Sequence, residues 1–264
     1  MRTPFFYPFA IVLLLIVAAG SLAAQGFEGG VVTYQQTTKY DFETVFAPYM
    51  DKPRVKDWIA SLPRESTRKK LLHFTEENAL YEEDPAAKEA LSPELQGALA
   101  RAEHFRPPSP ELKRMYYDFG KKEKVEQIVF MTRDFLVESE IEGKAWKFTN
   151  KKIKVLDYVC MGAELKKGDA VITAWFTPEI PVSAGPNEFF GLPGLILVIE
   201  VNGETAFIAT SIDLTPPEEG VLSKPDEGKK VTQEEFDKIV EEKMKEFKET
   251  AGDRGKGDRG GRRR

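Results

Sequence analysis

Strand-like runs of β-branched and aromatic residues alternate with turn signals along most of this chain, and helical spacing is confined to three stretches. Residues 30–39 (GVVTYQQTTK) read as an opening strand. Residues 69–74 and 79–82 flank Thr75-Glu76-Glu77-Asn78, a hairpin turn. From residue 114 the strand patterns crowd together, at 114–119, 124–131, 135–141, 153–165, 170–176, 195–201 and 205–214. Their connections have turn chemistry. Glu142-Gly143-Lys144 and Lys166-Lys167-Gly168-Asp169 suit turns, and Asn202-Gly203 is a strong two-residue hairpin signal. Sequential strands on short turns imply an antiparallel meander. A sheet of nine or ten strands must curl to bury its apolar face.

Helical period marks 53–62, with Val55, Trp58, Ile59 and Leu62 on one side and Asp51 as candidate cap. It marks 231–249 more clearly, where Phe236, Ile239, Val240, Met244 and Phe247 form a stripe. Thr232 and Glu235 fit a capping box there, and Val231 with Phe236 a hydrophobic staple. The stretch 84–110 is rich in alanine, glutamate and proline. It reads as a low-complexity insertion between two strands, part helical from 93 to 104, with nothing that suggests a core. The expected fold is α+β: a single, strongly curled antiparallel sheet, half-barrel-like, with a packed C-terminal helix.

Residues 175–198 (WFTPEIPVSAGPNEFFGLPGLILV) break both periods. Four prolines and three glycines there forbid a helix and a central strand. The apolar content is nevertheless too high for a solvated loop, so a rigid loop that plugs a core or walls a pocket is expected. As structure, Leu192-Pro193-Gly194-Leu195 suits a type II turn, with Trp175, Phe189 and Phe190 filling the core. As function, the same aromatics line an apolar pocket at the mouth of the sheet.

Gly191-Leu192-Pro193-Gly194-Leu195-Ile196-Leu197, with Trp175-Phe176-Thr177-Pro178-Glu179-Ile180-Pro181 and Gly185-Pro186 upstream, resembles the GLPGLI family of secreted bacterial proteins. Tyr158, Cys160 and Ala163 resemble that family's Gly-Tyr-x-Cys-x-x-Ala segment, although Asp157 stands in place of the glycine. The resemblance covers roughly residues 145–200. It assigns Tyr158, Cys160, Pro178, Pro181, Gly185, Pro186, Gly191, Pro193 and Gly194 to the signature and implies no biochemical activity.

Export follows from the N-terminus. Arg2, an apolar run at 9–19 and Ser21-Leu22-Ala23 have the layout of a signal peptide, expected to span 1–24. The mature protein is then periplasmic or secreted, a single domain over 25–249 followed by a disordered basic tail, 250–264. The body is acidic although the net charge is only −5, because residues 253–264 carry six basic and two acidic groups. The tail suits an anionic envelope surface; export argues against nucleic acid. The sole cysteine, Cys160, permits no internal disulfide, and its apolar neighbours favour a buried, inert thiol.

Candidate chemistry is sparse. The two histidines, His73 and His104, lack metal-ligand spacing, and Glu76-Glu77 and Glu82-Glu83-Asp84 read as solvated acidic turns, so no metal or cofactor is expected. Ser183 has no nucleophile elbow around it. Glu179, held between prolines, is the one acid in the signature proper; a hydrogen bond to the loop backbone is its expected role. The expected function is a non-enzymatic cell-envelope protein. A lipid-like apolar ligand or a protein partner would bind beside the loop, through Trp175, Phe176, Glu179, Phe189, Phe190, Leu192 and Leu195. The alternatives are an envelope hydrolase using carboxylates near Glu179, and a structural or assembly factor for an outer-membrane complex.

Overall fold

The computed structural model describes residues 28–87, 91–103 and 106–257. The expected signal segment, 1–24, and residues 258–264 of the expected tail, 250–264, lie outside the described residues, whereas residues 250–257 of that tail continue the C-terminal helix. Among those described, the strands are β1 (Gly30–Lys39), β2 (Glu65–Phe74), β3 (Asn78–Glu83), β4 (Glu111–Asp118), β5 (Glu123–Phe130) and β6 (Arg133–Glu140). They continue with β7 (Lys147–Val155), β8 (Tyr158–Lys167), β9 (Ala170–Thr177), β10 (Leu195–Val201), β11 (Thr205–Asp213) and β12 (Lys229–Thr232). The helices are α1 (Phe42–Val45), α2 (Pro53–Ser61), α3 (Pro93–Ala102) and α4 (Gln233–Gly257).

All twelve strands join one sheet in the order β12-β6-β5-β4-β3-β2-β1-β11-β10-β9-β8-β7. Strand β1 lies between β2 and β11, so the first strand of the chain sits in the interior of the sheet. Local sequence explains the hairpins. Asn202 and Gly203 both adopt left-handed φ (+50° and +70°), the pairing whose twist suits a two-residue turn. The Thr75–Asn78 turn is held by the Thr75 amide on the Asn78 carbonyl at 2.8 Å and the Asn78 amide on Thr75 Oγ1 at 3.0 Å.

The strongly curled antiparallel half-barrel expected from the strand count does not form. The sheet is open, with β12 and β7 as its two edges. It is also mixed, because β12 pairs with β6 in parallel. The physical reason is that the apolar surface is divided among four clusters with different covers. Each cluster buries its own part of that apolar surface. Residues 141–146 carry the chain from β6 to β7, near opposite edges, and such a link reaches at most ~25 Å. The end of β6 and the start of β7 therefore lie within that reach of each other.

The largest cluster joins Val32, Tyr34, Leu72, Tyr81 and Met115 to Phe176, Phe207 and the 178–194 loop. A second corrects the reading of 84–110 as coreless: Leu95, Ala98 and Ala102 of α3 pack on Phe42, Phe46, Ile59 and Leu62. Ser92 caps α3 by accepting from the Leu95 amide at 3.3 Å. Asp51 does not cap α2, whose N-cap is Lys52, while Asp41 caps α1. Helix α4 covers β5 and β6, with the Phe236 ring 5.3 Å from Phe135 and 6.1 Å from Phe130. Its capping box forms reciprocally: the Thr232 amide donates to Glu235 Oε2 at 2.9 Å, and the Glu235 amide to Thr232 Oγ1 at 3.2 Å.

Candidate functional site

The signature loop leaves β9 at Thr177, folds back along itself and enters β10 at Leu195. Exposure alternates along its first limb. Ile180, Val182 and Ala184 are buried, while Pro181 and Ser183 face outward. Backbone bonds tie this limb to the returning one: Leu195 donates to the Ile180 carbonyl and Ile196 to the Ala184 carbonyl, each at 3.0 Å. Ser183 Oγ donates to the Leu192 carbonyl at 3.0 Å, which gives that hydroxyl a structural role. Gly194 donates to Leu192 at 2.8 Å, and the Leu195 amide goes to Ile180. The expected type II turn is thus replaced by a tighter three-residue turn about Pro193.

The loop is anchored from outside by residues the sequence reading did not single out. Tyr34 of β1 donates its hydroxyl to the Ile196 carbonyl at 2.5 Å. The Tyr117 ring lies 5.0 Å from Phe190, and Trp146 Nε1 donates to the Phe190 carbonyl at 2.8 Å. The Lys144 ammonium sits 5.0 Å from the Phe190 centroid and 3.9 Å from Glu188, whose carboxylate also accepts from Lys167 at 2.8 Å. Burial holds the Lys144 amine below the ordinary lysine range. The signal available in the sequence was the aromatic Trp146 beside an otherwise turn-like Glu142-Gly143-Lys144.

Five of the seven expected ligand-binding residues, Phe176, Phe189, Phe190, Leu192 and Leu195, are at most 7% exposed and share one core cluster. Trp175 is half-buried on the other face of β9, where its ring would be met by any Cβ on Gly162. Glu179 is exposed, and its carboxylate accepts from the Val159 amide of β8 at 3.1 Å, a bond to the neighbouring strand in place of the loop backbone expected. Among the signature residues, Gly185, Pro186, Gly194 and Cys160 are buried, Tyr158 is half-buried, and Pro178, Pro181, Gly191 and Pro193 are exposed. A groove of about 940 Å³ lies elsewhere, between α3, the Pro107-Pro108 segment, Met131 and Phe247 of α4.

Beside the loop, apolar groups reach the surface. Residues 159, 161 and 163 share one face of β8, and Phe148 of β7 stands opposite Ala163 on that same face. Phe148 is 59% exposed and Val159 51%, with Met161 half-buried between them and Phe176. The Phe148 ring meets Phe176 edge-on at 5.8 Å. This surface therefore continues the loop's own core outward.

Residues 144–198 match the family described as "Protein of unknown function (Porph_ging)". That span runs from the Lys144 anchor through β7, β8, β9 and the loop into β10, so it contains both the plug and the apolar surface beside it. No curated protein matches the chain. Two solved structures of PNGF-II, in space groups P21 and C2, resemble it with TM-score 0.53 and 13% identity. They cover 82% of this chain, which spans only 34% and 33% of theirs. At that identity the likeness is one of fold: a β-rich architecture in place of the expected half-barrel.

Little on the site is poised for covalent or metal chemistry. Burial, with the Glu179 carboxylate nearby, pushes the Cys160 thiol up to about 11. His73, Nε2 3.8 Å from Glu82, is held below the ordinary histidine range by burial. Among the described residues, no group of three or more His, Cys, Asp or Glu is placed to hold a metal ion. Iodoacetamide at pH 8 should leave native Cys160 unmodified and label it once urea unfolds the chain. Rapid native labelling would show an accessible thiolate. The linked effect on stability has a definite sign. The unfolded thiol ionises near 9.0 and the native one near 11, so the native state holds the proton longer. Stability from this group is full below pH 9 and declines as pH rises toward 11.

Proposed function

We propose that this chain is a non-enzymatic, GLPGLI-type exported protein of the cell envelope that binds a protein partner on the surface beside the signature loop. The observation that carries this reading is the division of labour in the matched segment. The loop's apolar side chains are packed inside, while Phe148 and Val159 stand exposed next to them on one face. Contiguous exposed apolar groups on a folded surface mark interaction sites. A preformed apolar ligand site would instead need open volume beside Phe189, Phe190 and Leu192, and those side chains are buried in one core, with Phe189 against Phe207 and Phe190 against Tyr117. Export rests on the signal-like N-terminus and the resemblance. No helix among the described residues is long and apolar enough to cross a membrane.

The test is native mass spectrometry of the protein isolated gently from its own envelope, beside a variant carrying Phe148→Glu and Val159→Glu. A second protein in the wild-type spectrum, lost in the variant at unchanged melting temperature, is the expected result. A partner-free wild-type spectrum would overturn the reading. A lipid-like adduct lost in Phe190→Ala would replace it with the apolar-ligand alternative.

A further inference from the structure

Strand β7 is an edge of the sheet and pairs on one side only, with β8. Its sequence, KFTNKKIKV, carries Lys147, Lys151, Lys152 and Lys154 and no acid, in a chain whose net charge is negative. All four lysines are exposed; among the described residues only Lys154 forms an ion pair, with Asp157 at 3.5 Å, itself almost fully solvated, and Lys147 stands opposite Glu164 of β8. Among the described residues, half of the large hydrophobics that stand exposed lie in this hairpin: Phe148, Ile153, Leu156 and Val159. An edge shaped only to repel other strands would carry charge without that apolar share.

The faces sort these groups. After a register shift between Phe148 and Lys152, β7 runs regularly against β8 from Lys152 to Val155. Period two then puts Lys152 and Lys154 on the loop side of the sheet and Ile153 with Val155 on the other. A strand added at this edge would meet cations on one face and apolar side chains on the opposite face. A second copy of this chain is a poor occupant, because pairing β7 with β7 sets lysine against lysine. An extended segment that alternates acidic and apolar residues satisfies both faces, and its backbone takes up the unpaired amides and carbonyls of the edge.

Resting on the partner-binding reading above, we propose that the free edge of β7 receives a short extended segment of the partner, acidic and apolar in alternation, as an added antiparallel or parallel strand. The docking run is about four residues, set by the regular stretch Lys152–Val155.

The probe is the blocked hexapeptide Val-Glu-Val-Glu-Val-Glu, added to the full exported chain, with amide hydrogen exchange followed across β7. Exchange of the 152–155 amides should slow by about tenfold or more on saturation. The same peptide N-methylated on every residue should give no protection, since it lacks the donors an added strand needs in either direction. Lys152→Glu with Lys154→Glu, both exposed, should weaken binding by about tenfold or more without moving the melting temperature. Strand addition is overturned if the peptide gives no protection, if the N-methylated form protects equally, or if the block co-polymer Val-Val-Val-Glu-Glu-Glu binds as well. A failed peptide beside a co-purified partner that Phe148→Glu and Val159→Glu release would remove strand addition alone. Absence of that partner would remove the underlying reading.

Discussion

Replacing Gly194 by alanine should cost about 4 kcal/mol of stability, enough to unfold much of the population at 37 °C. Gly194 sits at φ +151°, and an added Cβ would lie 2.2 Å from the Thr177 carbonyl oxygen, 2.7 Å from its carbon and 2.9 Å from Pro178 Cα. All three are backbone atoms. Thr177 is fixed opposite Leu195 in the β9–β10 ladder, and the Pro178 ring fixes its own φ and restricts Thr177 before it, so neither has a cheap way to yield. Gly191, three residues earlier, is the internal control. Its φ is +91°, but the nearest atom to an added Cβ is Trp146 Nε1 at 3.9 Å. Alanine there meets conformational strain without collision and should cost only about 1–2 kcal/mol. Urea unfolding of the two variants, followed by tryptophan fluorescence, separates these effects. Equal losses would mean that the two glycines serve backbone conformation alone and that the close approach at Thr177 relaxes freely.

That contrast bears on how much was legible in the chain. The strand at 30–39, the strand at 195–201, the Asn202-Gly203 hairpin and the 232–235 capping box are all encoded by neighbouring residues, and each forms with those bounds or bonds. The run 153–165 was harder. It divides at Leu156 and Asp157 into two strands, and Leu156 adopts φ +52°, a conformation leucine does not advertise. Strand β12 is only four residues long and pairs in parallel with β6, so nothing local announces it. The α3 core did leave a trace, since Leu95, Ala98, Leu99 and Ala102 recur at helical spacing, but alanine weakens an apolar stripe. Sheet curvature was not legible because it depends on how many separate covers share the apolar surface. The candidate site followed the same division. Glycine and proline mark the loop, and the apolar neighbours of Cys160 announce its burial, whereas Glu179 bonds the Val159 amide of a neighbouring strand, a partner that local sequence does not name. The outward-facing Phe148 and Val159 lay inside strand patterns, where alternation alone does not say which face a neighbour will leave uncovered.

Phe190→Ala is expected to cost about 3–4 kcal/mol, and this decides between a plug and a pocket. The ring is 7% exposed, packs at 5.0 Å against Tyr117 and lies under the Lys144 ammonium. Removing it leaves a hole bounded by a tyrosine fixed in β4 and a link tied to the loop through Trp146, so the walls cannot easily collapse inward. It also strips the half-buried Lys144 of its aromatic face and opens it to water, which should bring its amine back toward the ordinary lysine value in an NMR titration. Phe190→Leu keeps most of the volume and should cost only about 1 kcal/mol. The order wild type, leucine, alanine in urea midpoint is therefore the signature of a structural plug. A ligand-lining phenylalanine behaves differently: its neighbours already enclose space, its loss costs little in the empty protein, and the deficit falls on binding. An alanine variant with an unchanged midpoint would thus return the loop to the role of a binding wall and move the partner surface away from Phe148 and Val159.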